Sequence, residues 1–242
     1  MSGLIRLDKY LADMGVGTRS EVKNYIRKGR VQINEVVIKE SDKKINIDSD
    51  KVAFDGSILT YVSTEYYMLN KPAGVVSATR DNLSETVLDL IDSTNKDLFP
   101  VGRLDKDTEG LLLITNDGEL AHKLLSPKKK VPKVYYAKIN GKIVEEDVEM
   151  FSKGIAISED FVTLPAELEI IKSCEISTVK VTIHEGKFHQ VKRMFEAVGK
   201  EVIYLKRLSM GDLILDESLE LGEYRPLTIE EINMLKGENK SK

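Results

Sequence analysis

From Tyr66 onward the chain breaks into short β-like runs without regular crossover helices between them, and this constrains the fold more than any other feature. The runs are YYMLN, LLLIT, VYYAKI, LPAELEII, STVKVTI and EVIYLKRL. Helical stretches are expected at 84–91, 119–125, 145–151, 189–198 and 228–235, the last opened by a capping box of Thr228 and Glu231. Each parallel strand pair needs a crossover of about a dozen or more residues, usually a helix. This order does not supply one after each strand, so it predicts an α+β domain with a mixed, mostly antiparallel sheet flanked by helices.

Residues 1–59 read as a separate, smaller α/β module. Leu4, Leu7, Leu11 and Met14 recur at helical spacing, and Gly15 and Gly17 end the pattern. Thr18 and Glu21 fit a capping box for a second helix that carries Val22, Tyr25 and Ile26 inward and stops at Gly29. The runs VQI, VVI, INI and VAF, separated by polar turns, predict a small sheet. Residues 60–65 are expected to be a linker, 66–236 the larger domain and 237–242 a frayed polar tail.

The chain has a formal net charge of −4, which argues at first against a nucleic-acid partner. Its distribution argues otherwise. Residues 1–34 sum to +4, residues 121–142 to +7 and residues 180–211 to +4, with acidic segments between them. Phosphate binding depends on local lysine and arginine contacts, so three such blocks predict a sided molecule with one positive face. Arg19, Lys23 and Arg27 are spaced four apart and share a helix face.

Several classes are excluded. No apolar run approaches the roughly 20 residues of a membrane-spanning helix. The first ten residues, MSGLIRLDKY, lack the apolar core of a signal peptide, which predicts the cytosol. The single cysteine, Cys174, excludes an internal disulfide framework. His122, His184 and His189 make no convincing ligand set, so no metal is expected. Phosphate-binding P-loop, dinucleotide and nucleophile-elbow motifs are absent. What remains is a carboxylate-centred reading. In VGRLDKDTEGLLLITNDGEL, Asp105, Asp107 and Glu109 alternate in a loop that feeds a hydrophobic run, which sets carboxylates at the rim of a core. For an isolated loop aspartate the competing role is a turn or cap residue, and Asp107 is read as a loop-stabilising acceptor.

Two resemblances follow from these strings. RLDKYLADMGVGTRSEVKNYIRKGRVQIN resembles the S-four-like RNA-binding module found in a ribosomal protein, tyrosyl-tRNA synthetases and several RNA-modifying enzymes. It implies RNA binding by Arg6, Lys9, Arg19, Lys23, Arg27, Lys28 and Arg30. Residues 66–207 resemble the pseudouridine synthases of ribosomal RNA, in the branch that carries such a module at its front. NKPAG is similar to the family's first motif, which supports the catalytic loop. GRLDKDTEGLLLITNDGEL is similar to the second, and the resemblance makes Asp105 the catalytic residue. KVYYAKI is similar to the Lys-x-Tyr segment and places Tyr135 against the target base. HEGKFHQVKRMF is similar to the third motif, whose basic residue pairs with the carboxylate. Here that is Lys192, with Arg193 as the alternative.

That chemistry breaks a carbon–nitrogen glycosidic bond, turns the uracil and rejoins it through carbon 5. It involves no redox change, so no cofactor is expected. The base must leave its stack. Lys71, Arg103, Lys128, Lys129, Lys130, His189 and Arg193 join the front cations as expected RNA contacts, Arg103 with a bracing role as the alternative. HQVKRM leans toward the small-subunit (16S) branch. The expected partner is ribosomal RNA or a small-subunit assembly intermediate, with no membrane and a monomeric protein. The rival readings are a large-subunit (23S) enzyme and an inactive RNA-binding assembly protein.

Overall fold

The computed structural model describes residues 4–47, 49–59, 64–93 and 97–237. Most of the expected linker and all but the first residue of the expected tail lie outside them. The chain divides into two compact units, Met1–Thr64 and Glu65–Lys242.

The front unit runs β1 (Leu4–Arg6), α1 (Leu7–Asp13), α2 (Arg19–Arg27), β2 (Val31–Ile33), β3 (Val36–Val37), β4 (Lys44–Asn46), β5 (Val52–Phe54) and β6 (Ser57–Leu59). Thr18 and Glu21 form the reciprocal capping box that starts α2. Leu7, Leu11, Val22, Ile26, Val31 and Val52 close a core between the two helices and a sheet ordered β3-β2-β5-β6. Leu4 departs from its expected helical place: it pairs with Asn46 in β1–β4, because the first helix starts only at Leu7.

The second unit contains β7 (Tyr66–Lys71), β8 (Phe99–Pro100), β9 (Glu109–Thr115), α3 (Gly118–Leu125), β10 (Lys133–Asn140), α4 (Glu145–Lys153), β11 (Ala156–Ser158), β12 (Phe161–Val162), β13 (Glu167–Lys172), β14 (Ile176–Ile183), α5 (Gln190–Ala197), β15 (Glu201–Met210), β16 (Leu213–Ile214), β17 (Tyr224–Pro226) and α6 (Ile229–Lys236). Its main sheet is ordered β13-β14-β10-β15-β9-β7-β17, and β9–β15 is the parallel pair among antiparallel ones. The expected mixed α+β architecture is therefore the one observed.

The unbroken LLLI of β9 has a simple cause. Leu111 and Leu113 face one core, with Leu120, Leu124 and Leu235 of α3 and α6. Leu112 and Ile114 face another, with Phe151 of α4 and Met194 and Phe195 of α5. A strand covered on both faces reads as a continuous apolar run. By contrast β14 alternates buried and half-exposed residues along most of its length, as a strand covered on one face does. At Gly110, φ is +99° and an added Cβ would stand 2.3 Å from the Arg207 carbonyl oxygen. The close approach of β9 to β15 therefore requires glycine there.

Residues 84–91 are not the expected helix. Thr86 bridges to Val76, and its amide and hydroxyl both donate to the Asp89 carboxylate, each at 2.8 Å. These local side-chain bonds compete with the helical ladder, while Val87 and Ile91 still reach the core.

Candidate active site

The loop before β9 is fixed residue by residue. The buried Ser77 hydroxyl donates to the Leu104 carbonyl at 2.9 Å and accepts from the Leu104 amide at 3.1 Å. The Gly74 amide donates to the Lys106 carbonyl at 2.8 Å. The Lys71 ammonium, 0% exposed, donates to the carbonyls of Pro72 at 2.9 Å, Lys106 at 3.2 Å and Thr108 at 2.9 Å. Asp105 thus projects from backbone held on both sides, which limits the reorganisation open to its carboxylate.

Lys71 was an expected RNA contact, and the structure corrects that. A wholly buried ammonium bonded to three carbonyls has no surface to offer phosphate. Burial pushes it down to about 8, against the opposing charges of Asp107, Asp105 and Glu109.

Across from the loop, α5 presents Lys192. Its Nζ lies 3.3 Å from Asp105 and donates to Asp107 at 2.6 Å. Burial alone would lower the Lys192 ammonium, but the bond to Asp107 and the charge of Asp105 outweigh it, and the net shift is upward. The same bond from Lys192 holds Asp107 below the usual carboxylate range. The Nε2 of His189 stands 3.5 Å from Asp105. His189 caps α5 with φ +49°, an uncommon left-handed conformation for a residue other than glycine. The site is therefore two carboxylates, one ammonium and one imidazole. Asp105 keeps 25% of its side-chain surface and Lys192 keeps 18%, enough for a substrate to reach both.

Arg193 is directed elsewhere. Its guanidinium donates to the Ile157 carbonyl at 2.5 Å and weakly to that of Phe188 at 3.5 Å. Between the two expected partners, the structure brings Lys192 to Asp105.

Tyr135 lies on β10 in one cross-strand row. Lys71 is opposite Gly110, Gly110 opposite Arg207, and Arg207 opposite Tyr135. Tyr135 is 7% exposed and packs in the core that also holds Leu104 and Val191, the neighbours in sequence of Asp105 and Lys192. Beside it Lys133 and Arg207 are 7% and 2% exposed, and burial, then the Arg207 charge, pushes Lys133 down to about 8.

The other expected contacts are of two kinds. Arg103 is exposed, and so are Lys128, Lys129 and Lys130 after α3. In the front unit Lys9, Arg19, Lys23, Arg27 and Lys28 are exposed. Arg6 instead donates to Asp8 at 2.8 Å, and Arg30 pairs with Asp55 while lying 4.5 Å above the Tyr25 ring. Among the described residues no cluster of His, Cys, Asp or Glu side chains is placed to hold a metal ion.

Sequence reasoning missed Ser77, and gave Asp107 and His189 no place beside Asp105. Asp107 follows Asp105 by two residues and His189 precedes Lys192 by three, about one helical turn, so both spacings carried a signal. Ser77 had none, since its partner is 27 residues away.

An RNA pseudouridylate synthase family model matches residues 65–197, and an S4 domain model matches residues 5–52. The chain is 44% identical to a ribosomal small subunit pseudouridine synthase A of Vibrio cholerae, over 94% of this chain and 98% of that one. It is 39% identical to a ribosomal large subunit pseudouridine synthase B of Bacillus subtilis, over 96% and 95%. A crystal structure of a pseudouridylate synthase superposes with a TM-score of 0.68 at 40% identity, covering 96% of this chain and 99% of that one. With the S4 module in front and the carboxylate loop in place, the chain belongs to the RNA pseudouridylate synthase family.

Proposed function

We propose that this protein converts a uridine of small-subunit (16S) ribosomal RNA to pseudouridine, with Asp105, Tyr135 and Lys192 as its catalytic residues. Residues 1–59 grip the RNA and residues 66–236 carry out the reaction. The protein acts in the cytosol, as a monomer, on ribosomal RNA or a small-subunit assembly intermediate. The observation that carries the reading is the Asp105 carboxylate on a loop fixed by Lys71, Gly74 and Ser77, with the Lys192 ammonium 3.3 Å away. The greater identity to a small-subunit enzyme than to a large-subunit one, and the string HQVKRM, support the 16S target.

The steps balance without an added reagent. The target uridine leaves its stack and enters the site. The bond from ribose C1′ to uracil N1 breaks, with Asp105 acting on the sugar as nucleophile or as base. The uracil turns against the Tyr135 ring and a bond forms from C1′ to C5, as the C1′–O bond to Asp105 breaks in the nucleophilic case or Asp105 returns its proton to C2′ in the basic one; the C5 proton departs to solvent and N1 regains one. Lys192, its Nζ 3.3 Å from the Asp105 carboxylate, positions that group against the sugar.

Tritium release from RNA labelled at uracil C5 tests this. Wild type is expected to release tritium from 16S transcripts or partial small subunits, and Asp105→Asn to lose activity by about 100-fold to 10,000-fold, the range for a positioned acid or base. Absence of release from any ribosomal RNA or subunit overturns the catalytic reading. A modification lost from 23S instead of 16S RNA in a deletion strain overturns the target.

A further inference from the structure

Phe188 stands at the mouth of this site and nothing in the chemistry above uses it. Its side chain belongs to a large apolar residue that is 74% exposed, next to a core where comparable rings are buried. One face of the ring lies parallel to the His189 imidazole, with centroids 3.8 Å apart and planes 16° apart. That imidazole in turn reaches Asp105 at 3.5 Å. The exposed Phe188 ring thus stacks on His189, and His189 meets the Asp105 carboxylate through Nε2.

The backbone under Phe188 is fixed. Arg193 donates to the Phe188 and Ile157 carbonyls, tying this loop to β11. The Gln190 side chain accepts from the Lys187 amide at 2.9 Å and donates to Glu185 at 3.2 Å. Glu185 also accepts from the Leu164 amide at 2.7 Å. His189 holds its left-handed conformation within that frame. An exposed aromatic ring on braced backbone leaves one apolar face in water, and burying that face against a flat partner is favourable.

We propose that Phe188 is a stacking platform for a nucleobase of the RNA beside the target uridine. The proposal rests on the family's RNA-modifying reaction and adds a contact residue to it. A flipped uridine leaves its neighbours unstacked on one side, and an aromatic face replaces the lost stacking with little dependence on base identity. Phe188 then sets how RNA is seated, and His189 passes that placement to Asp105.

The full-length protein with Phe188→Ala, Phe188→Leu and Phe188→Trp tests this on two probes. One is a single-stranded uridine decamer with a central 2-aminopurine, whose fluorescence is quenched by stacking. The other is C5-tritiated 16S transcript. Alanine and leucine are expected to abolish the protein-induced quenching, weaken decamer binding about 10-fold and raise KM by a similar factor with kcat within about 3-fold, the scale of one lost base stack. Tryptophan is expected to restore all three. Unchanged quenching in Phe188→Ala overturns the proposal and leaves the ring as a brace for His189, and so does rescue by leucine. If wild type releases no tritium, the 16S reading fails alone, because quenching of the decamer still decides the stacking.

Discussion

Two sets of cations in this molecule look alike in sequence and do opposite things. On α2, Arg19, Lys23 and Arg27 are exposed on a helix of the S4 unit. In the second unit Lys71, Lys133 and Arg207 are 0%, 7% and 2% exposed within or beside the main sheet. The first set is available to phosphate. The second is turned onto main-chain carbonyls: Lys71 onto Pro72, Lys106 and Thr108, Lys133 onto Val131, and Arg207 onto Leu111. A basic block in a sequence is thus not a basic surface. Two of the charges counted in the segments 121–142 and 180–211 are interior struts, and a third cation, Lys192, is held between carboxylates. An ammonium inside a core is tolerated because carbonyl oxygens replace its water, at the expense of a lowered pKa.

The largest effect that sharpens this contrast is expected at Lys71. Lys71→Met takes the ammonium away from three carbonyls, of which that of Lys106 keeps the Gly74 amide, at about 1–3 kcal/mol for an unsatisfied buried group, and loosens the segment that carries Asp105. A fall in chemical denaturation midpoint together with a fall in kcat of about 100-fold, with RNA affinity retained, is the expected result. Lost affinity with normal kcat would put Lys71 back among the RNA contacts.

The exposed set gives the converse. Replacing Arg19, Lys23 and Arg27 together by Gln is expected to leave thermal stability and kcat nearly unchanged. It should weaken RNA binding and flatten the slope of log affinity against log salt by about 2–3 units, close to one per phosphate contact. Filter binding across 50–200 mM salt measures it. An unchanged slope would mean that this helix face does not meet the backbone of the RNA.

A pH series gives a smaller but signed effect. Lys71 titrates at about 8 when folded and near 10.4 when unfolded, so between these values the unfolded chain binds more protons. Wild-type stability gains from this residue as pH climbs through that window, and Lys71→Met has no such gain. The stability gap between them is expected to widen from pH 8 to pH 10, read by urea midpoints. A constant gap would show that the buried ammonium titrates normally.

The smallest effect is expected at Arg30. Its sequence places it with the RNA-binding cations, yet it pairs with Asp55 and lies over Tyr25 and Phe54. Arg30→Gln is expected to change the salt slope by less than about one unit.

Local chemistry made much of this legible. The boxes at Thr18 and Thr228 need only residues three apart, and both helices begin where those boxes place them. The run at 111–114 revealed a strand covered on both faces, because burial on each side removes the polar alternation. Asp105, Tyr135 and Lys192 were reached through short ordered strings. The failures share a cause as well. Residues 84–91 have helical spacing, but the Val76–Thr86 bridge and the Asp89 side chain, both non-helical partners, decide their backbone. Ser77 carries no local mark, and only the fold brings it to Leu104.

The sequence by itself determined the longer strands, most of the helices, the family and the carboxylate at the centre of the site, since each rests on short ordered strings. Tertiary structure alone decided which cations face water, which of two adjacent basic side chains meets Asp105, and that an exposed ring stands beside it. Those are properties of packing between segments far apart in the chain. Exposure and partnership are set by what the sheet brings together, and neither the sign of a charge nor its neighbours in sequence encodes that.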